Sequence, residues 1–133
     1  MAPREPGSRG LADTSLFIAW ELDRPLVAEP PAEIAVSVVT VAELRLGVLT
    51  AQDNAVRARR LETLSAAEEF DAVPIDRDVA VAWASLRLNL RDAGRRMPLN
   101  DSWIAATAIA HDIAVVSQDA DYDDVPGLTV IRI

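Results

Sequence analysis

Asp13, Glu43, Asp101, Asp119 and Asp121 are spread over most of the chain, and each sits beside an apolar segment. Asp13 follows Gly10-Leu11-Ala12, and Glu43 lies within "TVAELRLGVL". Asp101 opens "DSWIAATAIAHD", while Asp119 and Asp121 fall in "SQDADYDD". Carboxylates at close quarters repel one another and raise one another's pKa. A hard divalent cation removes that cost, and carboxylate oxygens with water are the donors that Mg²⁺ and Mn²⁺ favour. Each acid also has an ordinary structural reading. Thr40-Val41-Ala42-Glu43 has the spacing of a capping box. Asp13 suits an Asx turn, Asp101 a helix N-cap, and the loop acids a solvated surface. The two readings are compatible, because a capping carboxylate keeps a free oxygen. The fold decides between them.

The elements alternate. Gly10-Leu11-Ala12 is a short strand leading into a helix over "LFIAWEL", with Thr14 or Ser15 as its cap. After a Pro-rich loop, "IAVSVV" has the β-branched, apolar character of a buried strand, and "TVAELRLGVL" follows as a helix. A longer helix over 52–70, a short strand at 72–75 and a helix over 77–93 come next, the last stopped by Gly94. The Asp101 helix, a strand over Ile113–Ser117, the acidic loop and a final strand "LTVIRI" complete the chain. Such alternation predicts an α/β fold: a single domain with a mainly parallel central sheet flanked by helices on both faces. Ligands of such sheets bind outside the carboxyl ends of the strands, where these acids fall.

Composition narrows the chemistry. A chain of 133 residues, half of them apolar, suffices for one domain with one core. There is no cysteine, which excludes disulfides, thiolate zinc sites and cysteine nucleophiles. No lysine occurs either, and that removes Schiff-base chemistry, P-loop phosphate binding and a lysine base. The lone histidine, His111, falls near a helix end, where a surface role is expected. Trp20, Trp83 and Trp103 have apolar neighbours and read as core. The net charge of -8 argues against non-specific coating of nucleic acid. All cationic side chains are arginines. Arg57, Arg59 and Arg60 read as a solvated helix face, whereas Arg87, Arg91 and Arg95 have helical spacing, end near Asp101 and could meet phosphate. Residues 1–10 contain no apolar core of a signal peptide and read as a flexible leader.

"ADTSLFIAW", "SVVTVAELRLGV", "MPLNDSWIAATAIAHD" and "VVSQDADYDDVPGLTVIRI" together resemble the PIN-domain family, and within it the VapC-type toxins of bacterial toxin–antitoxin pairs. The likeness runs from about Leu11 to the end, so residues 11–133 are the expected PIN-like nuclease domain. It implies a Mg²⁺-dependent endoribonuclease, with Mn²⁺ as a possible substitute, leaving 5′-phosphate and 3′-hydroxyl ends. Asp13, Glu43 and Asp101 match the family's first three acids. Ser117, Asp119 and the pair Asp121-Tyr122 match a Thr-x-Asn/Asp segment followed by Asp-Phe. The implied catalytic set is Asp13, Glu43, Asp101 and Asp119, with Asp13, Asp101 and Asp119 on the metal and Asp121 as the alternative fourth acid. Arg87, Arg91, Arg95, Asn100 and Ser117 are the candidates to meet RNA. The resemblance also implies a homodimer and a cognate VapB-type antitoxin, while the lack of a signal-peptide core and of an apolar stretch long enough to span a bilayer makes a cytoplasmic protein without a membrane the expectation. Receiver domains and haloacid-dehalogenase-type phosphatases gather aspartates similarly, but both normally use a lysine. The remaining rival is a catalytically silent domain that docks a basic peptide through its acidic edge.

Overall fold

A computed structural model describes residues 9–133. The elements in chain order are β1 (Arg9–Ala12), α1 (Thr14–Glu21), β2 (Glu33–Ser37), α2 (Val38–Leu49), α3 (Asn54–Glu68) and β3 (Ala72–Val73). They continue with α4 (Arg77–Asp92), α5 (Leu99–His111), β4 (Ala114–Ser117), a 3₁₀ turn over Ala120–Tyr122 and β5 (Val130–Arg132). The five strands form one sheet in the order β3-β2-β1-β4-β5, and every pairing is parallel. β1 therefore lies at the centre. Its last residue, Ala12, is in register with Val36 of β2 and Val116 of β4, so the three strands end level.

Side chains alternate across these strands and build a core on each face. Leu11, Ala35 and Val115 pack with Val79, Leu86 and Leu90 of α4 and with Ile104 and Ala108 of α5. Ala12, Val36 and Val116 pack with Leu16 and Phe17 of α1, Leu44 and Val48 of α2, and Leu64 and Ala67 of α3. The result is an α/β sandwich with helices on both faces, as the alternation predicts.

Several boundaries differ from the sequence reading. β1 begins at Arg9, one residue before the strand read at Gly10-Leu11-Ala12; residues 1–8 lie outside the described residues. The β-branched pair Val38-Val39 belongs to α2, not to β2, because Ser37 turns the chain and accepts the Val39 N–H at 3.0 Å. Ser37 is thus the cap, and no capping box forms between Thr40 and Glu43. Aspartates cap α3 and α4: the Asp53 and Asp76 side chains accept N–H groups of Val56 and Val79. Gly94, at φ 65°, ends α4 as expected; the Arg95 N–H reaches Leu90 O and the Gly94 N–H reaches Arg91 O. That motif sets Arg95 and Arg96 at the start of the turn into α5.

Two side-chain expectations are corrected. Trp20 is 46% exposed, since the short α1 buries Leu16, Phe17 and Ala19 and leaves Trp20 at the rim. Arg57 and Arg60 are not simply solvated. Their guanidinium groups donate to the Ala51 and Gly47 carbonyls at 2.9 and 2.7 Å, at the C-terminal end of α2. Cations at that end also complement the helix dipole.

Gly10 is required by packing. A Cβ there would overlap the Val116 side chain of the neighbouring strand, which is itself fully buried. Gly10→Val is expected to destabilise the protein by about 1–3 kcal/mol, the usual cost of overpacking a core. Urea unfolding measures it, and an unchanged midpoint would contradict the close approach.

Candidate metal centre

The level ends of β1, β2 and β4 place Asp13, Ser37 and Ser117 along one edge of the sheet. Asp13 is the N-cap of α1 and is only 4% exposed. Its Oδ2 accepts the Ser117 hydroxyl at 2.9 Å and, more weakly, the Ser15 N–H at 3.4 Å. Its Oδ1 accepts the Tyr122 hydroxyl at 3.0 Å. The Ser117 hydroxyl also accepts the Asp119 N–H at 2.8 Å, and Asp119 in turn caps the 3₁₀ turn by accepting the Asp121 N–H at 2.8 Å. One serine thereby ties the central strand to the acidic loop.

Asp101 is not a cap. α5 begins two residues earlier, after Pro98, and has no side-chain cap; Asp101 sits in its first turn. The freed carboxylate turns inward, and its Oδ1 accepts the Tyr122 hydroxyl at 3.2 Å. Stacked indoles hold this end of α5 against α4. Trp83 and Trp103 lie 4.3 Å apart with planes 6° from parallel, and Trp83 Nε1 donates to Ser102 Oγ at 3.0 Å. These two tryptophans are half-buried at the edge of the core.

Asp101, Asp119 and Asp121 each present an oxygen within 4.8 Å of the others. The structure gathers both Asp119 and Asp121 beside Asp101. Asp13 is outside this triad but bridged to it through Tyr122. Glu43 stands on the far side of Asp13, in the second turn of α2. It accepts the Thr14 hydroxyl at 2.9 Å and a hydrogen bond from the Asn100 side chain.

Crowding raises the pKa values of these acids. Burial is the main reason that Asp101 rises from its ordinary 3.8 to about 7; Asp13, Asp119 and Asp121 add repulsion, partly offset by Tyr122. Burial likewise pushes Glu43 up, followed by the Asp13 charge, against the opposing Thr14 and Asn100 hydrogen bonds. Burial and the two adjacent carboxylates hold the Tyr122 phenol far above its usual range, so it stays protonated. Among the described residues no arginine forms an ion pair with any of the five acids. An all-oxygen set of crowded carboxylates, without histidine or thiolate, suits a hard divalent cation.

The candidate RNA-contacting arginines lie beside this centre. Arg87, Arg91, Arg95 and Arg96 line a concavity of about 550 Å³ at the end of α4. Arg95 donates to the Asp121 carbonyl at 3.2 Å, which joins the concavity to the acidic loop. Arg87 lies over the Trp83 ring, 5.5 Å from its centroid. Sequence reasoning grouped Arg96 with these arginines but left it out of the RNA-contacting candidates, and it missed the Tyr122 hydroxyl. Arg96 was visible as a neighbour of Arg95, whereas Tyr122 was read only as an aromatic at a Phe position. His111 is exposed in the last turn of α5, as expected.

The fold and its acidic edge define a class. Residues 11–128 match the PIN domain, and the chain belongs to the PIN-domain family. It is 50% identical over 129 residues to Ribonuclease VapC4 of Mycobacterium tuberculosis, covering 94% of this chain and 97% of that protein. It is 44% identical over 125 residues to Ribonuclease VapC5 of the same organism, covering 93% of each chain. A crystal structure of a member of the VapBC family of toxin–antitoxin systems, VapBC-5 from that organism, superposes with a TM-score of 0.86 at 42% identity. The superposition covers 95% of this chain and 99% of that one.

An acid whose native pKa is raised binds more protons folded than unfolded, so stability falls as pH climbs between the two values. The EDTA-treated protein is therefore expected to lose thermal stability from about pH 4 to about pH 7, with Asp101 and Glu43 acting in the same direction. Asp101→Asn should flatten the decline. A melting temperature that rises across this window in the wild type would contradict the crowding of the acids.

Proposed function

We propose that this chain is a divalent-cation-dependent endoribonuclease, the toxin half of a toxin–antitoxin pair. The observation that carries the reading is the convergence of Asp13, Glu43, Asp101, Asp119 and Asp121 on one sheet edge, with four arginines alongside. Similarity to proteins named Ribonuclease VapC4 and Ribonuclease VapC5 supports the substrate class. Asp101, Asp119 and Asp121 would hold Mg²⁺ or Mn²⁺ together with Asp13. A cation held there would supply Lewis-acid polarisation of the scissile phosphate and charge stabilisation on its oxygens.

The remaining work falls to side chains. Glu43, with its raised pKa, takes the proton of the attacking water, and Thr14 and Asn100 hold its carboxylate in place. Ser117 fixes Asp13 and the start of the acidic loop. Arg87, Arg91, Arg95 and Arg96 receive backbone phosphates, which lets RNA approach a protein of net charge -8.

The partner reading rests on a second surface. Ile18, Leu22 and Leu46, with Glu21, Glu43 and Asn100, line a concavity of about 530 Å³ that opens onto the Glu43 side of the site. Leu46 and Leu49 are exposed nearby, Leu49 by 70%. An amphipathic antitoxin segment whose basic end meets the acids fits this groove. We further infer a single nuclease domain, a homodimeric toxin and action in the cytoplasm. No helix among the described residues is long and apolar enough to cross a membrane.

End-labelled transfer and ribosomal RNA incubated with Mg²⁺, Mn²⁺ or EDTA tests the assignment. Metal-dependent cuts are expected, with Asp101→Asn slower by on the order of 100-fold or more. Equal cleavage by wild type and variant would remove Asp101 from the reaction. For the arginines, Arg91→Ala should raise KM, leave kcat nearly unchanged and lower the log–log salt slope of RNA binding by about 0.7. An unaltered salt slope would exclude a phosphate contact at Arg91.

A further inference from the structure

Tyr122 is the only tyrosine in the chain and is fully buried, yet its hydroxyl lies between two carboxylates. It is 3.0 Å from Asp13 Oδ1 and 3.2 Å from Asp101 Oδ1. The ring is packed among core residues at the end of the 3₁₀ turn, so the hydroxyl cannot swing away without disturbing that core. A phenol has one proton to give. Here it serves two acids, of which Asp13 is only 4% exposed, where unpaired charge is costly. The acidic loop adds Asp119 and Asp121 beside Asp101.

We propose that the Tyr122 hydroxyl is a built-in stand-in for the cation: it bridges Asp13 and Asp101 while the site is empty and yields them when metal binds. The inference rests on the cation site described above and concerns how that site is kept intact without its ion. A bridge of this kind favours the empty state, because its hydrogen bonds to charged acceptors weaken once metal takes the same carboxylates. Tyr122 is thus a positioning residue that sets the threshold concentration at which metal loads. A phenylalanine at this position keeps the ring and the core but leaves the two acids unbridged.

The test is the Mn²⁺ affinity of Tyr122→Phe and wild-type protein, read by calorimetry, beside melting temperatures with and without Mn²⁺. The variant is expected to bind Mn²⁺ about tenfold more tightly, the scale of one hydrogen bond to a charged group. It should melt lower when metal-free and gain more on adding Mn²⁺ than the wild type does. Equal affinities and equal gains would reduce Tyr122 to a packing residue and overturn the proposal. Weaker Mn²⁺ binding would overturn it too, showing a hydroxyl that serves the loaded site. No binding by the wild type would instead remove the cation site itself, and the proposal with it. Should the variant fail to fold, 3-fluorotyrosine labels position 122 alone. Its single ¹⁹F resonance should then move in step with Mg²⁺ saturation, and a resonance that stays fixed to saturation overturns the stand-in.

Discussion

Mutual repulsion among carboxylates is the constraint on which the rest of this structure depends. Five acids from four distant segments meet at the carboxyl edge of a parallel sheet, and among the described residues the fold opposes them with neutral donors: hydroxyls of Thr14, Ser117 and Tyr122, the Ser15 and Asp121 N–H groups and the Asn100 side chain. Neutral donors reduce the cost of crowding without cancelling the charge. The remaining tension appears as the raised pKa values of Asp101 and Glu43. A divalent cation is the simplest species that relieves it.

The scaffold is arranged to withstand that tension. β1 is central and in register with both neighbours, so Asp13 is anchored by two strands as well as by its own helix. Asp101 rides on α5, whose first turn is clamped by the Trp83–Trp103 stack and the Trp83–Ser102 hydrogen bond. Asp119 and Asp121 lie on the one irregular segment of the site. Ser117 holds that segment from one side and Arg95 from the other. Arg95 does so through a backbone carbonyl, which leaves the acids themselves unneutralised. Substrate charge can then be met by arginines that are close to the site but not consumed by it.

The fold was legible in the sequence because alternation of apolar strands with amphipathic helices leaves little choice of topology. The acidic positions were legible for the same reason: a carboxylate just past a strand end falls at the sheet edge. Local capping was less so. Thr40-Val41-Ala42-Glu43 matches a capping box by spacing, but Ser37, three residues earlier, turned the chain first and placed Glu43 in the second turn. Asp101 carried a good N-cap signal, yet the helix began at Leu99 because Pro98 ends the extended segment. Trp20 was misjudged because its neighbours in sequence are apolar while its helical face points outward. The Tyr122 hydroxyl was hidden for a different reason. Its partners lie 109 and 21 residues away, and no local pattern reports a contact of that separation.

The most direct measurement is calorimetric titration of Mn²⁺ into the metal-free protein and into variants with Asp101, Asp119 or Asp121 replaced by asparagine, each checked for folding by circular dichroism. Saturable binding to the wild type, weakened in all three variants, is expected if the acids form a cation site. That reading is contradicted if the folded variants bind Mn²⁺ as the wild type does, or if the wild type binds none, because the crowded acids would then be accommodated by hydrogen bonds alone.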